Sequence, residues 1–498
     1  MDLHQWPIEG RSKMPPVERP LPGPRAKPHL AVPVALDRDG ARPLVAQLVE
    51  ALREAVLSGL LPAGERLPST RTLAQDLAVS RTVTAEAYTR LEAEGLLAGR
   101  SGSGTYVARL NRAARRTGTA PAAPAPAAPD PAQAPPRPAF ALRTGETGPV
   151  HEGSDGWARA WRATARTAAP TRYQDAAGLP RLRTAIADHL ARTRGLVCAP
   201  DDIVVTSGTT QSMDLVLRTL LRAGDTVGCE DPGHPVVRSL IRVHGLEAAP
   251  VPVDDDGARV DVLAGRAHAP RLMHVTPSHQ FPLGVRMSVG RRLDLVMWAR
   301  EHRSWIVEDD YDSEYRYNGP PLPSLAGLDR ERVIYLGTLS KVLTPALRCG
   351  YLVAPGGLPR RIAELKDIVD GPLSWPVQHT VLRMLTTGAL ERRVRRTRLH
   401  YARARTVLRE ALEPVADLVT PTGLEAGLHA VLLLADGLDG ARVARRAAEL
   451  GVEVAPLSAF RHGPSPTEGL VVGYGGLTPD DLAEAAALLV RAIAEHRP

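Results

Sequence analysis

Three short stretches in the C-terminal part of this 498-residue chain carry side chains that could do chemistry. Immediately after the apolar run IVVTS come Gly208, Thr209, Thr210 and Gln211, opening a helix, so that free backbone N–H groups and two hydroxyls would face an anion at the positive helix end. After SWIV come Glu308, Asp309, Asp310 and Tyr311. Carboxylates buried at such a strand end are costly unless a cation, a metal or a protonated ring compensates them. After VIYLG come Thr338, Leu339, Ser340 and Lys341, and Arg348 stands seven residues beyond the lysine. A lysine and an arginine so near strand ends are either surface charges or the electrophile and anion clamps of a cofactor. No element is diagnostic alone, but pyridoxal phosphate uses all of them. A lysine makes a Schiff base with its aldehyde, a carboxylate holds the pyridine nitrogen protonated, a phenol contacts the ring oxygen, and arginine, hydroxyls and helix N–H groups bind the phosphate.

Those groups need a scaffold that brings strand ends together. From Ile203 onward, IVVTS, DTVGCE, RLMHVTP, SWIVEDD, RVIYLG and CGYLVAP alternate with helical segments, which predicts an α/β domain with a mostly parallel central sheet. Ligands of such sheets sit at the carboxyl ends of the strands, where the three stretches fall.

A second unit precedes it. Residues 120–136 read APAAPAPAAPDPAQAPP, eight Ala and seven Pro in 17 residues, an extended spacer that cannot build a core. Residues 1–30, rich in Pro and charge without apolar periodicity, read as a disordered arm. Between them, Leu44, Leu48, Leu52 and Val56 recur at helical spacing up to Ser58-Gly59. Ser69 can cap a second helix through Ala78, and Ser80 a third from Arg81 to about Glu94. Gly95 ends it, and LLAGRSGSGTYVA predicts a hairpin with a Gly/Ser tip. Three short helices and a hairpin describe a winged helix-turn-helix, against the alternative of a generic three-helix bundle. Ser80, Arg81, Thr82 and Thr84 at the start of the third helix suit phosphate and base-edge contacts, Arg71 can reach a phosphate, and Gly102 and Gly104 allow a backbone to approach the wing.

The formal charge is +7, and residues 1–118 hold 17 Lys+Arg against 12 Asp+Glu, so most of the excess lies with that N-terminal unit. This favours a polyanionic partner. Cys198, Cys229 and Cys349 lack disulfide or zinc spacing, which argues against a metal centre, and no apolar run or leader is evident, so a cytoplasmic protein without membrane association is expected.

LPSTRTLAQDLAVSRTVTAEAYTRLEAEGLL followed by GSGTYV resembles the DNA-binding domain of GntR-type bacterial regulators, which places Arg71, Ser80, Arg81, Thr82 and Gly104 at DNA-contacting positions. From about Thr171 to the C-terminus the chain resembles fold-type I aminotransferases, and VTPSHQFPLG, IVEDDYDSEYRY and VIYLGTLSKVLTPALRCGYLV resemble the MocR group, in which the two are fused. The resemblance implies a mainly α winged helix-turn-helix at 31–109, an Ala/Pro-rich linker at 110–139 and a fold-type I domain of the α/β class at 140–498. By position it makes Lys341 the Schiff-base lysine, Asp309 the partner of the pyridine nitrogen, Tyr311 the phenol near the ring oxygen and His234 the ring that stacks on the cofactor. Gly208 opens the phosphate-facing helix, and Thr209, Thr210, Thr338 and Arg348 fall at phosphate-binding positions.

There are departures. Aminotransferases carry an asparagine in an Asn-Pro-x-Gly turn, where this chain has Phe281-Pro282-Leu283-Gly284, leaving His279 or Gln280 as substitutes. Catalytic relatives bind the substrate carboxylate with an arginine where Val471 stands here; Arg461 is a nearby candidate that reads better as a surface residue. The expected function is therefore a regulator, a homodimer on a double-stranded DNA operator, in which pyridoxal phosphate or an amine captured by it modulates binding. An active aminotransferase with an accessory DNA-binding domain is the alternative, opposed by the two departures. A scaffold that has lost its cofactor is opposed by Lys341, Asp309 and Arg348 all being present.

Overall fold

The structure, a computed structural model, describes residues 34–38, 42–100, 104–108, 138–148, 156–263, 268–317 and 323–497. The disordered arm and most of the linker expected from sequence lie outside the described residues. The chain divides into two compact units at residue 134.

In the first unit, α1 (Leu44–Ser58), α2 (Thr70–Asp76) and α3 (Arg81–Ala93) are followed by β1 (Leu97–Arg100) and β2 (Gly104–Val107). Leu48, Leu52, Leu73 and Leu91 are completely buried among the three helices. Ser69 Oγ accepts from Thr72 N at 3.1 Å and Ser80 Oγ from Val83 N at 3.4 Å, so both expected N-caps form. The second helix stops at Asp76 rather than Ala78, where Ala78 takes a left-handed φ of 50° and turns the chain into α3. β1 and β2 pair antiparallel as the wing, with Leu97 opposite Val107 and Arg100 opposite Gly104.

The second unit holds β3 (Phe140–Ala141), α4 (Trp157–Ala165), α5 (Pro180–Arg194), β4 (Ile203–Thr206), α6 (Thr209–Leu220), β5 (Thr226–Asp231), α7 (Pro235–Val243), β6 (Glu247–Asp254) and β7 (Gly257–Ala258). Then come β8 (Leu272–Val275), β9 (Trp305–Asp310), β10 (Val333–Thr338) and β11 (Gly350–Val353). These build an eight-stranded sheet in the order β4-β11-β10-β9-β8-β5-β6-β7. The run from β10 to β6 is parallel, while β11 and β7 pair antiparallel with their neighbours. Alternate residues serve two cores: Val205, Ile306 and Tyr335 pack on one face, Val204, Val307 and Ile334 on the other, as a sheet covered on both sides requires. Downstream, β12 (Val419–Thr422), β13 (His429–Leu434), β15 (Ala455–Pro456) and β16 (Gly469–Gly473) form an antiparallel sheet in the order β12-β13-β16-β15. The short β14 (Val452–Glu453) pairs with β3.

Register explains how distant residues reach one edge. β11 is antiparallel to both β10 and β4, with Gly350 opposite Thr338 on one side and Thr206 on the other. The start of β11 therefore lies beside the ends of β4 and β10, which brings Arg348 next to Gly208 and Thr338. Only glycine fits at 350, because a Cβ there would lie 2.8 Å from Gly208 Cα.

Candidate cofactor pocket and DNA-facing surface

At this sheet edge Gly208, Thr209, Thr210, His234, Asp309, Tyr311, Thr338, Lys341 and Arg348 line a single pocket. The structure thus brings all nine residues expected from sequence together. The same wall includes residues to which the sequence assigns no part in the site: Thr144 and Gly145 from the start of the domain, Leu428 and His429, and, within the motifs, Phe281, Asp312 and Ser340.

One end of the pocket is built for an anion. Gly208, at φ 117°, precedes α6, whose first turn carries no acidic residue. The Arg348 guanidinium lies over it, such that a Cβ on Gly208 would be 3.4 Å from Arg348 Nη2. Arg348 itself is held at φ 49°, and the hydroxyl of Thr338 accepts from Ser340 N at 3.1 Å. Ser340 Oγ is buried without a hydrogen-bond partner.

At the other end, strand alternation separates the three acids of β9. Asp310 turns away from the pocket and is neutralised by Arg194 at 2.7 Å and by the Tyr335 hydroxyl at 2.6 Å. Glu308 also turns away; burial pushes it up to about 7, against backbone N–H groups of Ala326 and Leu325 that favour its charge. Asp309 faces the pocket, its Oδ1 buried and unpartnered and its Oδ2 3.6 Å from His274 Nε2. Lys341 Nζ donates to Gly145 O at 2.8 Å. Burial lowers its pKa, against the opposing pull of Asp312 and Asp309, which favours the neutral amine needed for nucleophilic attack. Burial likewise pushes His234 down to about 4. That neutral ring caps α7 through Val236 N and packs on Phe281 with centroids 4.9 Å apart. Tyr311 donates to the backbone carbonyl of His279 at 2.9 Å. Gln280 is engaged elsewhere, its amide lying against Glu230, Pro232 and Phe281.

Val471 is completely buried on β16, packed with Phe281, Val431, Leu457 and Phe460. Arg461 is not among the residues lining the pocket.

In the first unit Arg71, Ser80, Arg81 and Thr82 are exposed together at the starts of α2 and α3. Thr84, expected beside them, is corrected by the structure. It is completely buried, and its hydroxyl donates to Thr70 O at 2.8 Å and Arg81 O at 3.0 Å, tying α3 to α2. One helical position past Val83 turns inward, which side-chain type alone does not reveal. Gly104, at φ 111°, leaves room for Arg66, whose Nε would lie 3.1 Å from a Cβ there. Arg66 is an exposed cation at the wing that sequence reasoning passed over because it sits in a turn-rich connector.

Comparison with known proteins places both units. Residues 151–489 match the family Aminotransferase class I and II, and residues 44–107 match Bacterial regulatory proteins, gntR family. A pyridoxine biosynthesis transcriptional regulator of Corynebacterium glutamicum is 36% identical over 453 residues, 91% of this chain and 96% of the relative. The probable rhizopine catabolism regulatory protein MocR of Rhizobium meliloti is 36% identical over 468 residues, 91% of this chain and 94% of the relative. Among solved structures, the α-aminoadipate aminotransferase of Thermus thermophilus, complexed with a phosphopyridoxyl-leucine, is 28% identical with a TM-score of 0.66, covering 72% of this chain and 92% of that one. An archaeal alanine:glyoxylate aminotransferase is also 28% identical, with a TM-score of 0.68, over 72% of this chain and 91% of that one.

The pocket fits the pyridoxal phosphate that this fold implies. Asp309 Oδ1, an acceptor, and Ser340 Oγ, whose hydroxyl can donate, are buried in the lining without partners; a protonated ring nitrogen would donate to the first and a phosphate would accept from the second. With an aminotransferase match over 151–489 and relatives 36% identical across 91% of its length, the chain belongs to the GntR regulators fused to an aminotransferase-like domain, the MocR type, and is a pyridoxal-phosphate-dependent, DNA-binding transcriptional regulator.

Proposed function

We propose that the aminotransferase-like unit acts as a sensor, and that its occupancy by pyridoxal phosphate, or by a small amine or amino acid captured on it, modulates how a cytoplasmic homodimer holds its operator. The observation that carries this reading is a pocket furnished for the cofactor at both ends while Val471, at the position expected to clamp a substrate carboxylate, is sealed in an apolar cluster. When bound, the cofactor supplies an aldehyde that condenses with primary amines and a ring that withdraws electrons. Lys341 holds it, Asp309 keeps its ring nitrogen protonated, Tyr311 meets its ring oxygen and His234 lies against its face. Gly208, Thr209, Thr210, Thr338 and Arg348 bind its phosphate.

The route outward starts at Lys341, whose amine donates to the backbone of Gly145. Thr144 and Gly145 belong to the pocket wall and lie only a few residues beyond the Ala/Pro-rich stretch, so a change at Lys341 acts on the chain that leads to the linker. A ligand shifts an equilibrium only through different affinities for its two states. The test is to measure operator affinity of the cofactor-free protein, of the cofactor-loaded protein and of the loaded protein with candidate amines. Identical affinities in all three would remove the sensor reading.

On the DNA side Arg71, Ser80, Arg81 and Thr82, with Gly104 at the wing, are the proposed contacts. Arg81→Ala is expected to weaken operator binding by about 1–3 kcal/mol, relaxing specificity at one base pair if the contact is to guanine and weakening all sequences alike if it is to phosphate. Anisotropy titrations on operator and scrambled duplexes separate the two, and unchanged affinity would take Arg81 out of the interface.

A helix-turn-helix dimer reads two half-sites, and the linker from Leu110 to Ala139 allows either unit to reach a second chain. Light scattering at micromolar concentration is expected to give twice the 53.4 kDa chain mass. A stable cofactor-loaded monomer would refute it.

A further inference from the structure

His279 is 3% exposed, and both of its ring nitrogens face acceptors. Nδ1 lies 2.9 Å from Asp312 Oδ2 and Nε2 lies 3.2 Å from Gly423 O. A carbonyl only accepts, so Nε2 carries hydrogen; where Asp312 is a carboxylate, which only accepts, Nδ1 carries one as well and the pair is an imidazolium with a carboxylate. Burial opposes that charge, but Asp312, by its charge and its hydrogen bond, and the Gly423 carbonyl together raise the pKa of His279.

The other groups facing this pair leave the assignment intact. His429 is pushed well down by burial and stays neutral, donating from Nε2 to Pro282 O at 3.0 Å. Asp309 and Glu230 act, with Asp312, on Tyr311, and Lys341 lines the same pocket as Asp312, whose charge opposes the lowering of the lysine's pKa. One ligand atom from each of His279, Asp312 and His429 lies within 4.8 Å of the others, but hydrogen bonds already engage both nitrogens of His279, Oδ2 of Asp312 and Nε2 of His429. Two glycines hold the space. A Cβ at Gly427 would collide with both Asp312 and His279, and one at Gly284 would lie 3.0 Å from His279 Nε2.

The pair has one neighbour with a part in the pocket. Tyr311 Oη lies 3.2 Å from His279 Nδ1 and donates to the same residue's carbonyl. Phe281 occupies the place of the ring-facing asparagine and the Gln280 amide is fully engaged, so the donor left on that wall is Tyr311, whose single proton rests on the His279 carbonyl here and turns to a ring oxygen by rotation about the C–O bond.

We infer that His279 and Asp312 are a positioning pair for Tyr311, which fix the phenol at the pocket wall and strengthen it as the donor to an anionic ring oxygen in place of the missing amide. This rests on the reading that the pocket holds pyridoxal phosphate. The physical link is short: an imidazolium N–H directed partly at Oη polarises the phenol, and a hydrogen bond inside a charged, water-poor network is stronger than an isolated one.

The test reads the visible band of the cofactor-loaded protein against pH. A weaker donor leaves the ring oxygen more basic, so the proton it shares with the lysine-bound nitrogen is held more tightly and the midpoint rises. His279→Leu and Asp312→Asn are each expected to raise it by about one pH unit, and Tyr311→Phe by at least as much. His279→Gln, which returns a neutral donor, should fall between His279→Leu and the native protein. Because the pair acts through the phenol, adding His279→Leu to Tyr311→Phe should move the midpoint no further. Additive shifts, or an unmoved midpoint in Asp312→Asn and His279→Leu while Tyr311→Phe shifts it, would overturn the positioning role. If Tyr311→Phe itself shifts nothing, the place of the phenol is wrong. If the native protein shows no visible band with cofactor, it is the reading of the pocket that fails.

Discussion

Lys341→Ala is expected to abolish the visible absorption of the cofactor-loaded protein while the chain stays folded. Of the four lysines in the sequence, Lys13 and Lys27 lie outside the described residues, and Lys366 is buried against Asp370 at 3.0 Å, away from the pocket. Lys341 alone among described lysines lines the pocket, with its pKa lowered by burial and an anion cradle of Gly208, Thr209 and Arg348 in the same lining. No other described amine can take its place, so the loss should be essentially complete. The fold should tolerate the change because the amine contributes one hydrogen bond, to Gly145 O, and its burial works against a charge there. An unchanged circular dichroism spectrum with no visible band is the expected result. A band that survives in the variant would assign the cofactor to another group.

Much of this site was legible because its chemistry sits at strand ends. Short apolar runs mark the strands, and the residues just past each run are the ones the sheet edge presents, so Gly208, Asp309, Lys341 and Arg348 group together from sequence alone. Which of three consecutive acids faces the pocket is decided by alternation once one residue is fixed, but the sequence does not fix it. The antiparallel β11 that carries Arg348 into place has the same composition as its parallel neighbours. His279 and Asp312 are 33 residues apart and acquire meaning only through a contact between two loops. Thr84 misled for a related reason. Its type suits a DNA contact, but its position in the 3.6-residue period points it at α2. The small sheet of β12, β13, β15 and β16 is not separable in the sequence, since HAVLLL and GLVVG read like any other buried strands and carry no mark of the sheet they join.

The second large effect concerns turnover. With an amino acid and a keto-acid acceptor, the protein is expected to bind the amino compound and shift its spectrum, yet to transaminate far below ordinary enzyme rates. Binding an amine needs only the loaded pocket. Transamination also needs the freed Lys341 to move a proton while the breaking bond is held perpendicular to the ring, and that orientation depends on gripping the carboxylate. Val471 cannot grip it: it is completely buried in the apolar cluster with Val431 and Leu457, and Arg461 does not line the pocket. Among the described lining residues the cations are Lys341 and Arg348, the first taken by the cofactor and the second lying over Gly208 at the phosphate end. A carboxylate would instead meet Asp312 and a neutral His429, a wall that repels or ignores it. Misplacement of the reacting bond by about an ångström can cost on the order of a hundredfold in rate. Stopped-flow spectra with coupled detection of the keto-acid product separate the two steps. Repeated turnover at ordinary enzyme rates would sink the sensor and favour an aminotransferase with an accessory DNA-binding unit, whereas a spectral shift without turnover, accompanied by altered operator affinity, is the behaviour these residues predict.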